Sequence, residues 1–346
     1  MTTGQRKGLS FAVGILISVV AIWLLFRGID YDKLMSALKH ANYWWLLPNI
    51  FFVVFAMYQR AWRWRVMLQP VKRVEYSKLL AATCIGFMAN NILPFRLGEF
   101  VRAYSLAYQD KEVSKSASLA TIFIERMVFD LVALLMIFGG VLAVTKVKIP
   151  EDMRVGTWLA ILIALVGIGA VGLLARRPGQ VGNLITRYLS FLPDSVKESI
   201  KSIVLRFSDG LKFVMQAKSA TSVMLHTMFL WICMGASNYF VFIAFGFDDR
   251  LTLETSFFML VVVSISILIP SSPGFVGVYH VGVILTLKLY GIEGAEANAF
   301  ALVLHAAQYF PITLMGFYYL KKAHLSLKQL GSEAVEQAPP ADSSGS

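Results

Sequence analysis

The stretch that decides the fold is Leu79 to Tyr108, LLAATCIGFMANNILPFRLGEFVRAYSLAY. It opens as an apolar run of membrane character, is broken by Asn90, Asn91, Pro94 and Gly98, and then resumes. In lipid every backbone polar group needs a partner, so a break of this kind is tolerated only where protein or a wet cavity covers it. Thr255 to Tyr290 repeats the device, with Pro270, Ser271, Ser272, Pro273 and Gly274 as the break. Ile92-Leu93-Pro94 followed by Gly98 is echoed by Leu268-Ile269-Pro270 followed by Gly274, with the same Pro-x-x-x-Gly spacing.

Around these two segments lie six unbroken apolar runs: Leu9 to Phe26, Trp44 to Trp62, Ala117 to Val144, Thr157 to Ala175, Ser222 to Phe245 and Asn298 to Leu320. Each has the roughly 18 residues or more that a helix needs to cross the hydrocarbon core. The chain of 346 residues is 57% hydrophobic and 15% charged, with a mean hydropathy of +0.64. Soluble domains carry about one quarter charged residues, and a water-soluble fold of this size could not hide so much apolar surface. The first run follows Arg6 and Lys7 and enters Arg27 without a small-residue cleavage pattern, so it reads as an uncleaved span, a signal peptide being the competing reading.

The net charge of +11 does not point to nucleic acid, because the basic residues fall between apolar runs and not along one soluble surface. They read as topology signals. Lysine and arginine collect in short cytoplasmic loops. Arg6 and Lys7 place the N-terminus inside, and Arg60, Arg63, Arg65, Lys72 and Arg73 do the same for the loop after the second run. The linker after Ala175, from Arg176 to Lys218, is basic as well, and Lys321 and Lys322 place the C-terminus inside. Parity between these basic regions requires each broken segment to enter and return to its own side; a re-entrant hairpin and two short spans satisfy it equally.

The expected fold is therefore all-α and polytopic, with about six full transmembrane helices plus two broken or re-entrant hairpins arranged as an inverted repeat, the recurring plan of secondary transporters. The divisions expected are 1–43, a first span and outer loop; 44–175, a first repeat with a connecting span; 176–220, a cytoplasmic amphipathic linker; 221–325, a second repeat; and 326–346, a disordered tail. Within the linker, Asp194, Ser195 and Glu198 open a helical pattern whose surface-lying and solvated readings stand side by side.

An ionisable side chain deep in a span costs on the order of 3 kcal/mol unless it faces a partner or a wet cavity, which makes such residues pointers to a site. Three groups qualify. Glu125, Arg126 and Asp130 lie within the third full run; Arg126 and Asp130 share a helix face, with Glu125 about 100° round from Arg126. Arg96, Glu99 and Arg102 follow Pro94 at three-residue spacing and, with Asn91, border the first break. Ser271, Ser272 and Gly274, leading to Gly277, Tyr279 and His280, resemble a helix opening with free N–H groups. Arginine forks and helix N-termini both bind phosphate oxygens, so the three groups predict a mid-membrane site for an anionic headgroup. Its carboxylates would orient the arginines or carry protons. The competing reading is a set of closed arginine–carboxylate pairs with no ligand. His305 and Gln308 are expected to make single interhelical hydrogen bonds. The cluster Tyr58, Arg60, Trp62, Arg63, Trp64 and Arg65 reads as an interfacial anchor that could also gather anionic lipid.

No nucleophile elbow, metal-ligand spacing, Walker loop or dinucleotide fingerprint occurs, so no catalytic residue, cofactor or metal is expected. Cys84 and Cys233 lie singly in apolar runs and support neither a disulfide framework nor a thiolate site.

Four motifs in order, Arg60-x-x-Arg63-Trp64-x-x-x-Leu68, Asn91-Ile92-Leu93-Pro94-x-Arg96-x-Gly98-Glu99-x-x-Arg102-Ala103, Glu125-Arg126-x-x-x-Asp130 and Pro270-x-x-Pro273-Gly274-x-x-Gly277, resemble the transmembrane region of lysylphosphatidylglycerol synthases and its stand-alone flippase-like relatives. The resemblance covers roughly residues 10 to 325. It implies a prokaryotic cytoplasmic membrane and lipid translocation, and it keeps polyprenyl-phosphate sugar pathways open. The synthases carry an aminoacyl-transferring domain after the membrane part, whereas this chain ends in a short tail, so lysyl transfer is not expected. The function expected is translocation of an anionic phospholipid or polyprenyl-phosphate-linked headgroup, with membrane lipids as partners; the alternative is an intramembrane transferase or accessory subunit in lipid-linked sugar or envelope lipid metabolism.

Overall fold

A computed structural model describes residues 30–93, 97–144, 176–188, 217–269 and 271–326, with a few isolated positions besides. The first apolar run, the run at 157–175, the expected linker helix after Asp194 and the tail fall almost wholly outside the described residues.

Among the described residues the secondary structure is helical throughout: α1 (Tyr31–His40), α2 (Leu46–Leu68), α3 (Tyr76–Ile92), α4 (Gly98–Gln109), α5 (Lys115–Val144), α6 (Pro178–Tyr188), α7 (Ala217–Ala244), α8 (Leu253–Ser266), α9 (Val278–Leu289) and α10 (Gly294–Lys322). The helices start where the chain offers an acceptor for orphan N–H groups. Asp30 caps α1, Ser114 accepts from Ala117 N at 3.4 Å to open α5, and Thr252 accepts from Thr255 N at 3.4 Å to open α8. Among the described residues three helices, α5, α7 from Lys218 and α10, are long and apolar enough to cross a membrane.

Each broken segment is a pair of antiparallel helices. In the first, Asn90 Oδ1 accepts from Gly98 N at 2.9 Å, and Gly86, one turn earlier, lies against Arg102, one turn later. The approach is close enough that a Cβ on Gly98 would stand 2.2 Å from the Gly86 carbonyl oxygen, so glycine here sets the separation of α3 and α4. In the second, Gly282 of α9 lies against Val263 and Ser266 of α8. The glycine that matches Gly98 in the shared spacing does something else: Gly274 has φ +71° within the turn Pro273–Phe275, and a Cβ there would meet the Asn91 carbonyl oxygen and the Tyr309 ring. The two Pro-x-x-x-Gly matches are therefore alike in sequence and different in use.

α2 runs along α7, and α3 packs on both α4 and α10. The last contact is tight, since a Cβ on Gly316 would fall 2.1 Å from Met88 Cβ and 2.8 Å from the Cys84 carbonyl oxygen. α8 packs on the second half of α5, and α9 on α8 and α10. Among the described residues the two largest apolar clusters lie around Trp64, Met67, Leu79 and Ile124, and around Phe242, Phe247, Phe300 and Leu304. In the polar turn after α4, Lys72 Nζ donates to Asp110 Oδ1 at 2.6 Å, which ties that turn to the α2–α3 connection and holds the Asp110 carboxyl below its ordinary range.

Candidate functional site: a buried arginine–carboxylate cluster and a neutral tip junction

The backbone of α5 changes character at Glu125–Asp130, where it forms a π turn. On a regular helix, residues five apart point roughly 140° away from each other at about 100° per residue. A turn closed by i→i+5 hydrogen bonds brings them onto one face, and such bulges gather at functional positions. Glu125 and Asp130 use it to hold one guanidinium between them. Arg63 of α2 places Nη1 2.6 Å from Asp130 Oδ1 and Nη2 2.7 Å from Glu125 Oε1, and Nη1 also donates to Thr227 Oγ1 of α7 at 2.9 Å.

The cluster grows outward from this chelate. Arg102 of α4 donates from Nη1 to Glu125 Oε1 at 3.0 Å and lies over the Trp64 ring, 4.0 Å from its centroid. The Trp64 indole is satisfied by Thr121 Oγ1 at 2.9 Å. Asp130 Oδ1 accepts a further bond from Trp231 Nε1 at 3.1 Å, and Oδ2 accepts from Arg126 Nη1 at 3.2 Å. Arg126 leans toward Glu99 of α4, Nε to Oε1 3.7 Å, and Glu99 accepts from Asn90 Nδ2 at 3.3 Å. Arg63, Arg102, Glu125 and Asp130 are buried, while Arg126 and Glu99 expose 23% and 22% of their side chains and form the open edge.

Arg60 completes the set and differs from the rest. It is only 5% exposed, yet among the described residues no carboxylate stands within salt-bridge distance of it; its guanidinium lies over Phe87 at 4.6 Å and near Trp231 at 5.8 Å. Phe87 also carries Arg126 at 5.1 Å. Cation–π contact offsets only part of the cost of burying a charge. Among the described residues of the cluster, five buried guanidinium nitrogens, on Arg60, Arg63 and Arg102, have neither an aligned acceptor nor an ion-pair contact, against one unmatched carboxylate oxygen, Glu125 Oε2. The site is rich in donors and poor in acceptors, and its described members are four arginines and three carboxylates.

The remaining sequence candidates sit elsewhere. Asn91 turns away from the cluster: its Nδ2 donates to Thr313 Oγ1 at 2.9 Å on α10, and its carbonyl accepts from Tyr309 OH at 3.4 Å. Gly274 seats against the same carbonyl, so the tips of the two hairpins meet there. Ser271 and Ser272 are half-buried beside the tip. His280 accepts from Gly277 N at Nδ1, 3.3 Å, and its Nε2 lies 3.4 Å from His305 Nδ1. Asn90 and Asn91, neighbours in the chain, thus face one centre each. Arg96 falls outside the described residues. Gln308 makes the single interhelical bond expected of it, to Asn238 Oδ1 at 3.1 Å, whereas His305 belongs to the tip junction.

Arg60, Arg63 and Trp64 were read from sequence as interfacial anchors and are instead interior. A signal existed for this. Asn49, Val53, Ala56, Met57, Arg60, Arg63, Trp64 and Met67 form one buried stripe at helical spacing, whereas Tyr58, Trp62 and Arg65 fall on the exposed side.

Helices of this length and apolarity, packed around a buried multi-arginine cluster, define a helical integral membrane protein whose interior is built to hold charge. The chain belongs to the lysylphosphatidylglycerol synthase transmembrane-region family, whose model matches residues 11–316. It is 25% identical over 365 residues to "Glycosyltransferase AglD" of Haloferax volcanii, covering 95% of this chain and 57% of that protein. It is also 24% identical over 330 residues to a "UPF0104 membrane protein" of Methanothermobacter thermautotrophicus, covering 90% of this chain and 94% of the relative. A second protein of that name from the same organism is 23% identical over 316 residues, with 87% and 90% covered. The chain therefore spans little more than half the length of the glycosyltransferase.

Proposed function

We propose that this protein translocates a lipid whose headgroup is joined through a phosphate, moving the headgroup past the arginine cluster while the acyl or prenyl tails stay in the bilayer. The observation that carries the reading is the donor excess around Arg60. A buried guanidinium with no carboxylate is costly in a membrane protein, and phosphate oxygens supply the acceptors it lacks. The partly exposed Arg126–Glu99 edge gives a headgroup a way in. Around this site we place about six spans and two hairpins as an inverted repeat, in the divisions 44–175 and 221–325 joined by a basic linker, with both termini cytoplasmic. Rocking of one repeat against the other would expose the headgroup to alternate leaflets.

Proteoliposomes carrying fluorescent phosphatidylglycerol, and in a second arm a fluorescent polyprenyl-phosphate sugar, test the reading by the accessibility of the probe to a membrane-impermeant quencher. Wild type is expected to move one of the two probes, and Arg60→Gln to slow it at least tenfold while remaining folded. Equal rates for wild type and Arg60→Gln would overturn the proposal. The similarity to a protein named as a glycosyltransferase favours a second reading, a role in making or modifying lipid-linked sugars. Mass spectrometry of the lipids after incubation separates the two, because translocation changes sidedness and leaves composition alone.

A further inference from the structure

The tip junction holds two imidazoles in a defined state. The Gly277 backbone N–H points at His280 Nδ1 at 3.3 Å, so that nitrogen is an acceptor and the ring of neutral His280 carries its proton on Nε2. That N–H faces His305 Nδ1 at 3.4 Å, which is therefore also an acceptor. The rings meet edge to face, with centroids 4.9 Å apart, and Tyr279 stacks on His305 at 4.5 Å. His280 is buried and His305 half-buried.

Every acceptor nitrogen that faces inward in this chain of bonds is already used. A proton arriving at His305 Nδ1 would set two N–H groups against each other and part the rings; one arriving at His280 Nδ1 would displace the Gly277 N–H that opens α9. Uptake of a proton is thus coupled to breaking a contact that fixes the second hairpin. The groups around the pair are Tyr279 of α9, Tyr309 of α10, Ser266 of α8 where it meets Gly282, and Asn91 of α3 at the tip. Among the described residues no carboxylate, lysine or arginine contacts either ring. The carboxylates of the arginine cluster are poorly suited to this work, since Glu125 and Asp130 are each held by two guanidinium groups.

We propose that His280 and His305 form a proton-binding site that latches the tip of the second hairpin against Asn91 of the first, and that one proton taken up there unlatches it. Resting on the transport reading above, this makes the pair the point at which a proton gradient is coupled to headgroup movement.

The full chain in nanodiscs, labelled with ¹⁵N-histidine, tests the latch without any transport. Five histidines are present, His40, His226, His280, His305 and His324, few enough to assign by substitution. At neutral pH a nitrogen–nitrogen coupling across the hydrogen bond is expected between two rings, absent from His280→Asn and from His305→Gln, and lost in wild type when one proton is taken up. His280→Asn keeps an acceptor for Gly277 N–H and so preserves the start of α9. Hydrogen-exchange protection of the peptides containing residues 89–93 and 271–277, corrected for the intrinsic rate at each pH, should fall on acidification more in wild type than in either variant. Absence of the coupling, or the same pH response in all three proteins, overturns the latch. In proteoliposomes with fluorescent phosphatidylglycerol and an imposed pH gradient, wild type should respond to the gradient and His305→Gln should not; an equal response overturns the coupling. If no protein moves the probe, the transport reading and the coupling fail together, and the latch stands or falls on the magnetic resonance and exchange results.

Discussion

The two hairpins carry polar centres of opposite character. The first hairpin meets α2, α5 and α7 around permanent charges, four arginines against three carboxylates, with Arg63, Arg102 and Trp231 tied to Glu125 and Asp130 by contacts of 2.6 to 3.1 Å between helices. The second hairpin meets α3 and α10 around neutral groups, two imidazoles, two tyrosines, an asparagine and a threonine, joined by longer bonds of 2.9 to 3.4 Å. A buried guanidinium–carboxylate lattice resists change, because breaking one pair strands a charge in a medium that cannot solvate it. A neutral network loses much less when one bond opens. The comparison makes the first centre the harder of the two to open, which suits the anion-binding role proposed for it, and the second the easier.

The sharpest way to break that comparison is at Arg63. Arg63→Met leaves Glu125 and Asp130 facing each other with one cation fewer, and should cost about 3–5 kcal/mol of stability, read as a lowered unfolding midpoint in nanodiscs. Arg60→Met, three residues away on the same helix, removes a charge that has no carboxylate partner and should leave the midpoint unchanged or raised. Equal losses from the two substitutions would mean that Arg60 is paired in the working protein. Next in size is Gly316→Ala on the α3–α10 contact between the centres. The added methyl meets Met88 Cβ and the Cys84 carbonyl, and overpacking of this kind costs about 1–3 kcal/mol. The smallest effect belongs to the neutral centre: a double-mutant cycle of Asn91→Ala and Thr313→Val should return a coupling of about 0.6 kcal/mol, the usual worth of an interhelical hydrogen bond in a membrane protein. A coupling several times larger would make the second centre as rigid as the first.

Much of the fold could be read from residue order alone. The broken run at 79–108 folds into two helices with the break between Ile92 and Gly98, and the run at 255–290 does likewise around Pro273 and Gly274. Four unbroken runs reappear as α2, α5, α7 and α10, with ends displaced by a few residues. The site was half legible. Glu125, Arg126, Asp130, Glu99 and Arg102 stood out because charge within an apolar run is conspicuous. Arg60 and Arg63 did not, because they lie eight and five residues before the end of α2 in a stretch that also holds genuine surface charges, and only the helical stripe separates them from Arg65.

The sequence by itself determined that this is a helical membrane protein with two interrupted segments and charge carried into its apolar runs, since composition and run length follow from transfer free energies that act residue by residue. Tertiary structure decided which charges meet. The π turn that lets Glu125 and Asp130 share Arg63 is a property of backbone hydrogen bonding that no spacing rule for a regular helix contains. The contact of Asn91 with Tyr309 and Thr313 joins residues 218 and 222 positions apart, and such pairings are set by how the helices pack, after the local signals have been spent.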